Sequence, residues 1–232
     1  MARNKILHIT DLETVKSLDA SKIGEQAFLS TSLFNNVTRL SITLRLPHPL
    51  CHALERVYDS RMSAPEVACD IQIWLQLGAT LTQLKKLRKL RIWLDHDEAC
   101  SWSVVNERAL LSSLTPLCTI EGLDVSISLP KLHPMHEADD RHFVKGSYTR
   151  FRLIRRLRQC HHGGKPGGPP EVIIKHDFPV SLELKDIISE WDDGPMPTLA
   201  EVEEEERQQW MSGTDVEALV IRSMDSGQVS QL

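Results

Sequence analysis

Residues 81–97 read LTQLKKLRKLRIWLDHD, and the period of the apolar residues changes half-way along. Leu81, Leu84 and Leu87 recur at every third position, like one stripe of a helix. Leu90, Ile92 and Leu94 then alternate with Arg91, Trp93 and Asp95, the pattern of a strand with one buried face. A helix passing directly into a strand is the unit from which crossover-connected parallel sheets are built.

Three further stretches carry the same strand pattern: VTRLSITLRLP from 37, IEGLDVSISLP from 120 and PPEVIIKHDFP from 169, with KILHIT from 5 as a fifth candidate. Between them, apolar residues at helical spacing predict helices over 17–33, 50–58, 65–77, 104–114 and 148–159. Strands that alternate with helices imply a mainly parallel sheet. The four strand stretches start 50, 33 and 49 residues apart, too irregular for a regular leucine-rich solenoid, whose units run to about 20–29 residues. The expected fold is therefore α/β, an irregular leucine-rich-repeat-like stack of helix–strand units. The alternative is a compact three-layer α/β domain. Alternation within the strands favours the stack, because a sheet covered on both faces has near-continuous apolar strands.

The α/β region is expected to span 1–191, with HHGGKPGGPP at 161–170 as a flexible loop. DDGPMP at 192–197 marks a boundary. Beyond it, 199–211 with Glu201 and Glu203 to Glu206 predicts a solvated acidic helix, and Gly, Ser, Asp and Gln enrichment from Ser212 predicts a disordered or loosely docked tail.

Composition narrows the class. With 232 residues, 41% hydrophobic and only 5% aromatic, the chain can bury a core of aliphatic side chains. A formal charge of −5 does not suit a general nucleic-acid coat. Five scattered cysteines without a CxxC pair suggest neither a disulfide framework nor a zinc ribbon. MARNKILHITDLE has no secretory pattern and no apolar run approaches the ~20 residues of a membrane helix, so the expected setting is intracellular, cytoplasmic or nuclear, without a membrane.

The run IQIWLQLGATLTQLKKLRKLRIWLDHD, followed by SWSVVNERALLSSL and LDVSISLPKLHP, resembles a group of uncharacterised fungal proteins whose longer members begin with an F-box-like helical segment. The resemblance covers about residues 37–184. It implies degenerate leucine-rich-repeat-like units and carries no assigned function. It brings no catalytic residues, and this chain has no recognisable F-box Leu-Pro start.

Candidate chemistry is sparse. Asp95, His96 and Asp97, with Glu98 beside them, follow one strand and His176 follows another, where α/β folds present ligands. These residues define an enzyme or small-ligand reading, although strand-ending turns and helix caps use the same residue types. His133, His136, Glu137, Asp139, Asp140 and His142 match no metal motif and read as a solvated loop. Cys160-His161-His162 and HHGGKPGG lack the spacing of a catalytic pair or a phosphate loop. No metal site, catalytic set or cofactor is assigned.

Charge clusters carry more weight. Arg150, Arg152, Arg155, Arg156 and Arg158 form a basic helix face together with Lys145, and Lys85, Lys86, Arg88, Lys89 and Arg91 form a second cluster. Glu201 to Glu206 offer a neutralising partner within the chain. The leading expectation is a non-enzymatic interaction scaffold with a protein partner, its contact surface being these clusters or the strand face of Arg39, Arg45, Lys89 and Arg91. Nucleic-acid association through the basic helix at 145–158 is a third reading.

Overall fold

The computed structural model describes residues 6–18, 36–59, 69–98, 100–144, 151–162, 171–174, 178–182 and 197–229. The chain forms two compact units, Met1–Pro130 with Ala138–Arg156, and Lys131–Glu137 with Leu157–Leu232. The division differs from a break at 192: the chain crosses between the units at 130–138 and at 156–157. No helix among the described residues is long and apolar enough to cross a membrane.

Five parallel strands order the first unit: β1 (Leu7–Ile9), β2 (Arg39–Leu46), β3 (Lys89–His96), β4 (Asp124–Pro130) and β5 (Arg152–Arg156), side by side in chain order. The protein is thus α/β with an all-parallel five-stranded sheet. Leu40 pairs with Leu90 and Leu90 with Val125; Ile42 pairs with Ile92 and Ile92 with Ile127. All of these lie on one face and are buried, as are Leu44, Leu46 and Leu94. A slip of one residue would turn this stripe outward, at about 1.5–3 kcal/mol for each buried aliphatic side chain. Burial therefore fixes the register. Sequential parallel order with right-handed crossovers puts the described connecting helices on one face of the sheet.

The helices on that face are α1 (Leu12–Lys16), α2 (His48–Tyr58), α3 (Cys69–Thr82) and α4 (Glu107–Ser112). The helical stripe of the opening stretch ends sooner than its spacing implies. α3 stops at Thr82, and Leu84 and Leu87 follow in turns closed by Leu84 N–H to the Leu81 carbonyl and Leu87 N–H to the Leu84 carbonyl, with all three leucines buried. Trp74 is buried at the centre of α3 and donates its indole N–H to the Leu110 carbonyl at 2.8 Å. Gly78 lies against the Ser113 carbonyl oxygen, only 2.0 Å from where a Cβ would sit, so α3 packs directly on the backbone after α4. The helix expected over 17–33 lies almost wholly outside the described residues.

β5 corrects the basic helix expected over 148–159. Arg152–Arg156 is a strand paired with β4, Leu153 opposite Ile127 and Arg155 opposite Leu129. Arg155 therefore occupies a position on the apolar side of the sheet. The fully buried Glu107 at the start of α4 receives it with both guanidinium amino groups, Nη2 at 2.8 Å. Glu107 also accepts the Trp102 indole N–H at 2.8 Å and the Phe143 backbone N–H at 3.0 Å. Both carboxylate oxygens are thus doubly hydrogen-bonded, the condition under which a buried charge is tolerated.

The second unit contains the antiparallel pair β6 (Gln159–His162) and β7 (Glu171–Ile174), then α5 (Leu199–Met211) and α6 (Val216–Val229). EVII is a strand as expected, but it belongs to this separate two-stranded sheet, and His161 and His162 lie in its partner strand rather than in a loop. Thr198 and Glu201 form a capping box at the start of α5, and the hydrogen bonds from Thr198 lower the Glu201 pKa. Gly213, at φ +84°, ends the helix where a side chain would be strained.

Two expectations for this region are corrected. Glu206 is buried, accepting the Val180 and Ser181 backbone N–H groups at 2.8 Å each and the Trp210 indole N–H at 3.2 Å. Glu203 pairs with Lys131, so the acidic helix is not simply solvated. The expected tail is helical through α6, because Val216 and Val220, four apart, are both buried.

Arg155→Met leaves Glu107 buried without its cation, and urea unfolding should register a loss of about 3–5 kcal/mol. Exposed Arg152→Met on the same strand should lose less than about 0.5 kcal/mol. Gly78→Ala should lose about 1–3 kcal/mol in the same assay, despite its better helix propensity, because the new methyl meets backbone.

Candidate functional site

The face of the sheet opposite the leucine stripe carries three cross-strand rows. Arg39, Lys89 and Asp124 form the first; His8, Ser41, Arg91, Ser126 and Arg152 the second; Thr43, Trp93, Ser128 and Ile154 the third. Arg45 stands opposite Asp95 beyond them. Arg91, Arg152 and Ile154 are exposed, while Arg39, Arg45 and Lys89 are half-buried. Lys89 reaches Asp124 at 3.5 Å. Among the described residues, Arg39, Arg91 and Arg152 face no acid within ion-pair distance.

Of the four described arginines among those expected to form the basic surface, only Arg152 is exposed. Arg150 lies outside the described residues, Arg155 is bound to Glu107, and Arg158 is buried. Arg156 lies over Trp93, its guanidinium carbon 3.6 Å from the ring centroid, donates to the Leu94 carbonyl at 2.6 Å, and approaches Asp95 Oδ2 at 3.8 Å. A shallow depression of about 40 Å³ lies across the first and second rows, lined by His8, Arg39, Ser41, Lys89 and Arg91 among others. Small-molecule pockets run to about 300–1,000 Å³, so this surface suits an extended partner better than an enclosed ligand.

The carboxyl ends of β2 and β3 form a second region. Asp95, His96 and Asp97 lie together in sequence but face different neighbours. Asp95 is fully buried, with Oδ1 accepting the His96 N–H at 2.9 Å. His96 stacks on Trp102, with ring centroids 5.8 Å apart. Asp97 accepts the His48 N–H at 3.0 Å, placing a carboxylate at the start of α2, where Pro47 supplies no side-chain cap. They do not converge on a common reacting point. His176 lies outside the described residues, and the preceding β7 is in the other sheet.

His48 and Cys100, absent from the sequence reading, join this region. The pairing of Leu46 with His96 aligns the two strand ends, so that His48 Nδ1 lies 3.5 Å from Glu98 and His48 Nε2 lies 3.8 Å from Cys100 Sγ. Cys100 Sγ is also 3.9 Å from His96 Nε2, and His52 packs edge-on against His48. The available signal was two His/Cys-containing segments, HPLCH just after β2 and DHDEAC running off the end of β3, at the ends of paired strands. Nearby Cys51 is buried, and desolvation, with smaller contributions from Asp97 and Cys100, pushes its thiol up to about 12. It stays protonated at neutral pH and is not a nucleophile.

In the histidine and acid set at 133–142, His136, Asp139 and Asp140 are exposed as a solvated loop requires, but the others are not. His133 is buried against Trp210 and Phe178, and Glu137 receives Arg207 at 2.8 and 3.0 Å, a pairing that raises the Arg207 pKa. His142, in the first unit, is buried with Nδ1 accepting the Ala138 N–H at 3.0 Å and Nε2 3.1 Å from the Ser103 carbonyl. Burial lowers its pKa from 6.5, assisted by Arg141 and Arg155; Glu107 and the Ser103 hydrogen bond oppose the shift without reversing it.

Comparison of the chain with protein-family models, curated proteins and solved structures finds no match.

The His142 geometry sets a pH dependence. Above its unfolded pKa of 6.5 the ring is neutral in both states and its contribution is complete. As pH falls below 6.5 the unfolded chain takes the proton first, so stability declines towards the lower folded pKa. Urea midpoints measured from about pH 7.5 to about pH 5 should fall less steeply in His142→Gln than in the native chain.

Proposed function

We propose that the protein is a non-enzymatic interaction scaffold whose open sheet face receives an extended acidic segment of a partner protein. One observation carries this reading: Arg39, Arg91 and Arg152 occupy cross-strand rows of that face without acids of their own among the described residues. The buried Ser126 lies between the two exposed arginines, Arg91 and Arg152, and sets them two strands apart. Complementary charge of this kind gives register and on-rate to an interface.

Single-stranded nucleic acid fits the same surface less well. Platforms for it stack bases on aromatic faces, and the aromatic ring of this surface, Trp93, has Arg156 over it at 3.6 Å. The separate partners of Asp95, His96 and Asp97 likewise support a binding role over acid–base catalysis. The sequential strand order is compatible with a degenerate stack of helix–strand units. The family resemblance adds no residue to this reading.

Fluorescence anisotropy with the full chain tests it, using a labelled peptide of alternating Glu and Asp and a labelled single-stranded oligonucleotide of matching length. The peptide should bind with an affinity that falls as salt rises. Joint reversal of Arg91→Glu and Arg152→Glu should weaken it roughly tenfold or more. Lys85→Glu with Arg222→Glu makes the same change in net charge away from the rows and should leave most of the binding. Equal losses in both variants, or preference for the oligonucleotide, would overturn the acidic-peptide assignment.

A further inference from the structure

We infer that the carboxyl ends of β2 and β3 form a binding site for a zinc-class divalent cation, with His48, Glu98 and Cys100 as ligands and His96 as the fourth group. One ligand atom from each of His48, Glu98 and Cys100 lies within 4.8 Å of the other two. Zinc–sulfur bonds of about 2.3 Å and zinc–nitrogen or zinc–oxygen bonds of about 2.0–2.1 Å make a tetrahedron with edges of roughly 3.6 Å from sulfur to nitrogen and roughly 3.4 Å from nitrogen to oxygen. The thiol lies 3.8 Å from His48 Nε2 and 3.9 Å from His96 Nε2, and Glu98 lies 3.5 Å from His48 Nδ1. Side-chain adjustments of a few tenths of an ångström bring either imidazole to tetrahedral distance from the sulfur. His48 coordinates through one ring nitrogen. When that nitrogen is Nε2, beside the thiol, the half-exposed Glu98 side chain leaves its contact with Nδ1 to bring an oxygen to the metal.

The donor set selects the metal. A thiolate with imidazole and carboxylate suits zinc and its cobalt analogue, whereas magnesium and calcium take all-oxygen shells. The framework is already positioned: His48 opens α2, its backbone N–H is held by Asp97 at 3.0 Å, and His96 is stacked on the buried Trp102. Glu98 is about half exposed, which leaves a path for entry from solvent. Binding displaces the Cys100 thiol proton to solvent and forms the metal–sulfur bond with no change of oxidation state, so affinity falls as pH is lowered.

Titration of the reduced, chelator-treated full chain with Co(II) tests the site. One equivalent should develop a sulfur-to-cobalt charge-transfer band and the intense visible bands of a tetrahedral centre, and Zn(II) should bleach both. Cys100→Ser should abolish the charge-transfer band, and His48→Ala should weaken binding by at least tenfold. Cys118→Ser and Cys69→Ser should retain the full spectrum. Thermal unfolding in chelator separates lost ligation from lost folding: the ligand variants should match the native chain there and differ only when metal is added. Retention of the bands in Cys100→Ser, octahedral spectra alone, or equal binding in His48→Ala would overturn the assignment.

Discussion

The bidentate contact of Arg155 with Glu107 is the constraint on which the rest of the first unit depends. A fully buried carboxylate has a large desolvation penalty, and a cation alone seldom offsets it by a wide margin. Here Trp102 and Phe143 supply two further donors, while Arg155 itself donates to the Pro130 carbonyl at 3.0 Å and the Phe143 carbonyl at 2.8 Å. One interaction therefore holds the last parallel strand, the end of β4, the start of α4 and the approach to residue 143. Its main effect is on register: moving β5 by one residue would put Arg155 on the open face and leave Glu107 in the interior with an unmatched charge.

The same contact explains why part of the fold was legible in the sequence and part was not. β2, β3 and β4 could be read because their inward positions are aliphatic apart from His96 at the end of β3, so period two survives along each strand. In β5 the inward positions are Leu153 and Arg155, and the charge breaks the apolar alternation. What remains visible is Phe151, Ile154 and Leu157 at spacing three, which imitates a helix. The signal that would have corrected it, a glutamate buried 48 positions earlier, exists only in three dimensions. A local pattern also could not reveal that EVII pairs antiparallel with residues 159–162, since a strand's apolar character does not specify its neighbour.

The strand-end region was half legible for a related reason. Asp95 to Glu98 stood out because polar residues just beyond a parallel strand often bind ligands. Their grouping in sequence was misleading, since successive residues leave a strand in opposite directions and acquire different partners. His48 and Cys100 became neighbours of His96 and Glu98 only through the pairing of β2 with β3, which carries two strand ends to one place. The buried Glu206 follows the same rule in the second unit. An acidic run in sequence looks solvated, and only the fold assigns one member of it to backbone N–H groups and an indole.

Net charge and local charge also separate on physical grounds. The chain is formally −5, yet Glu107, Asp95, Glu55, Glu137 and Glu203 are each taken up by a specific cation, Arg155, Arg156, Arg141, Arg207 and Lys131. None of those carboxylates serves Arg39, Arg91 or Arg152. Arg91 and Arg152 are two strands apart with Ser126 between them, a separation of about 9.6 Å at about 4.8 Å per strand. That is close to the Debye length of about 8–10 Å at ordinary ionic strength, so their mutual repulsion is screened and the sheet tolerates both without an acid of its own. A carboxylate brought directly against either guanidinium is screened far less. The serine between the two arginines thus keeps their repulsion small in the free protein while leaving each charge able to attract an acidic partner.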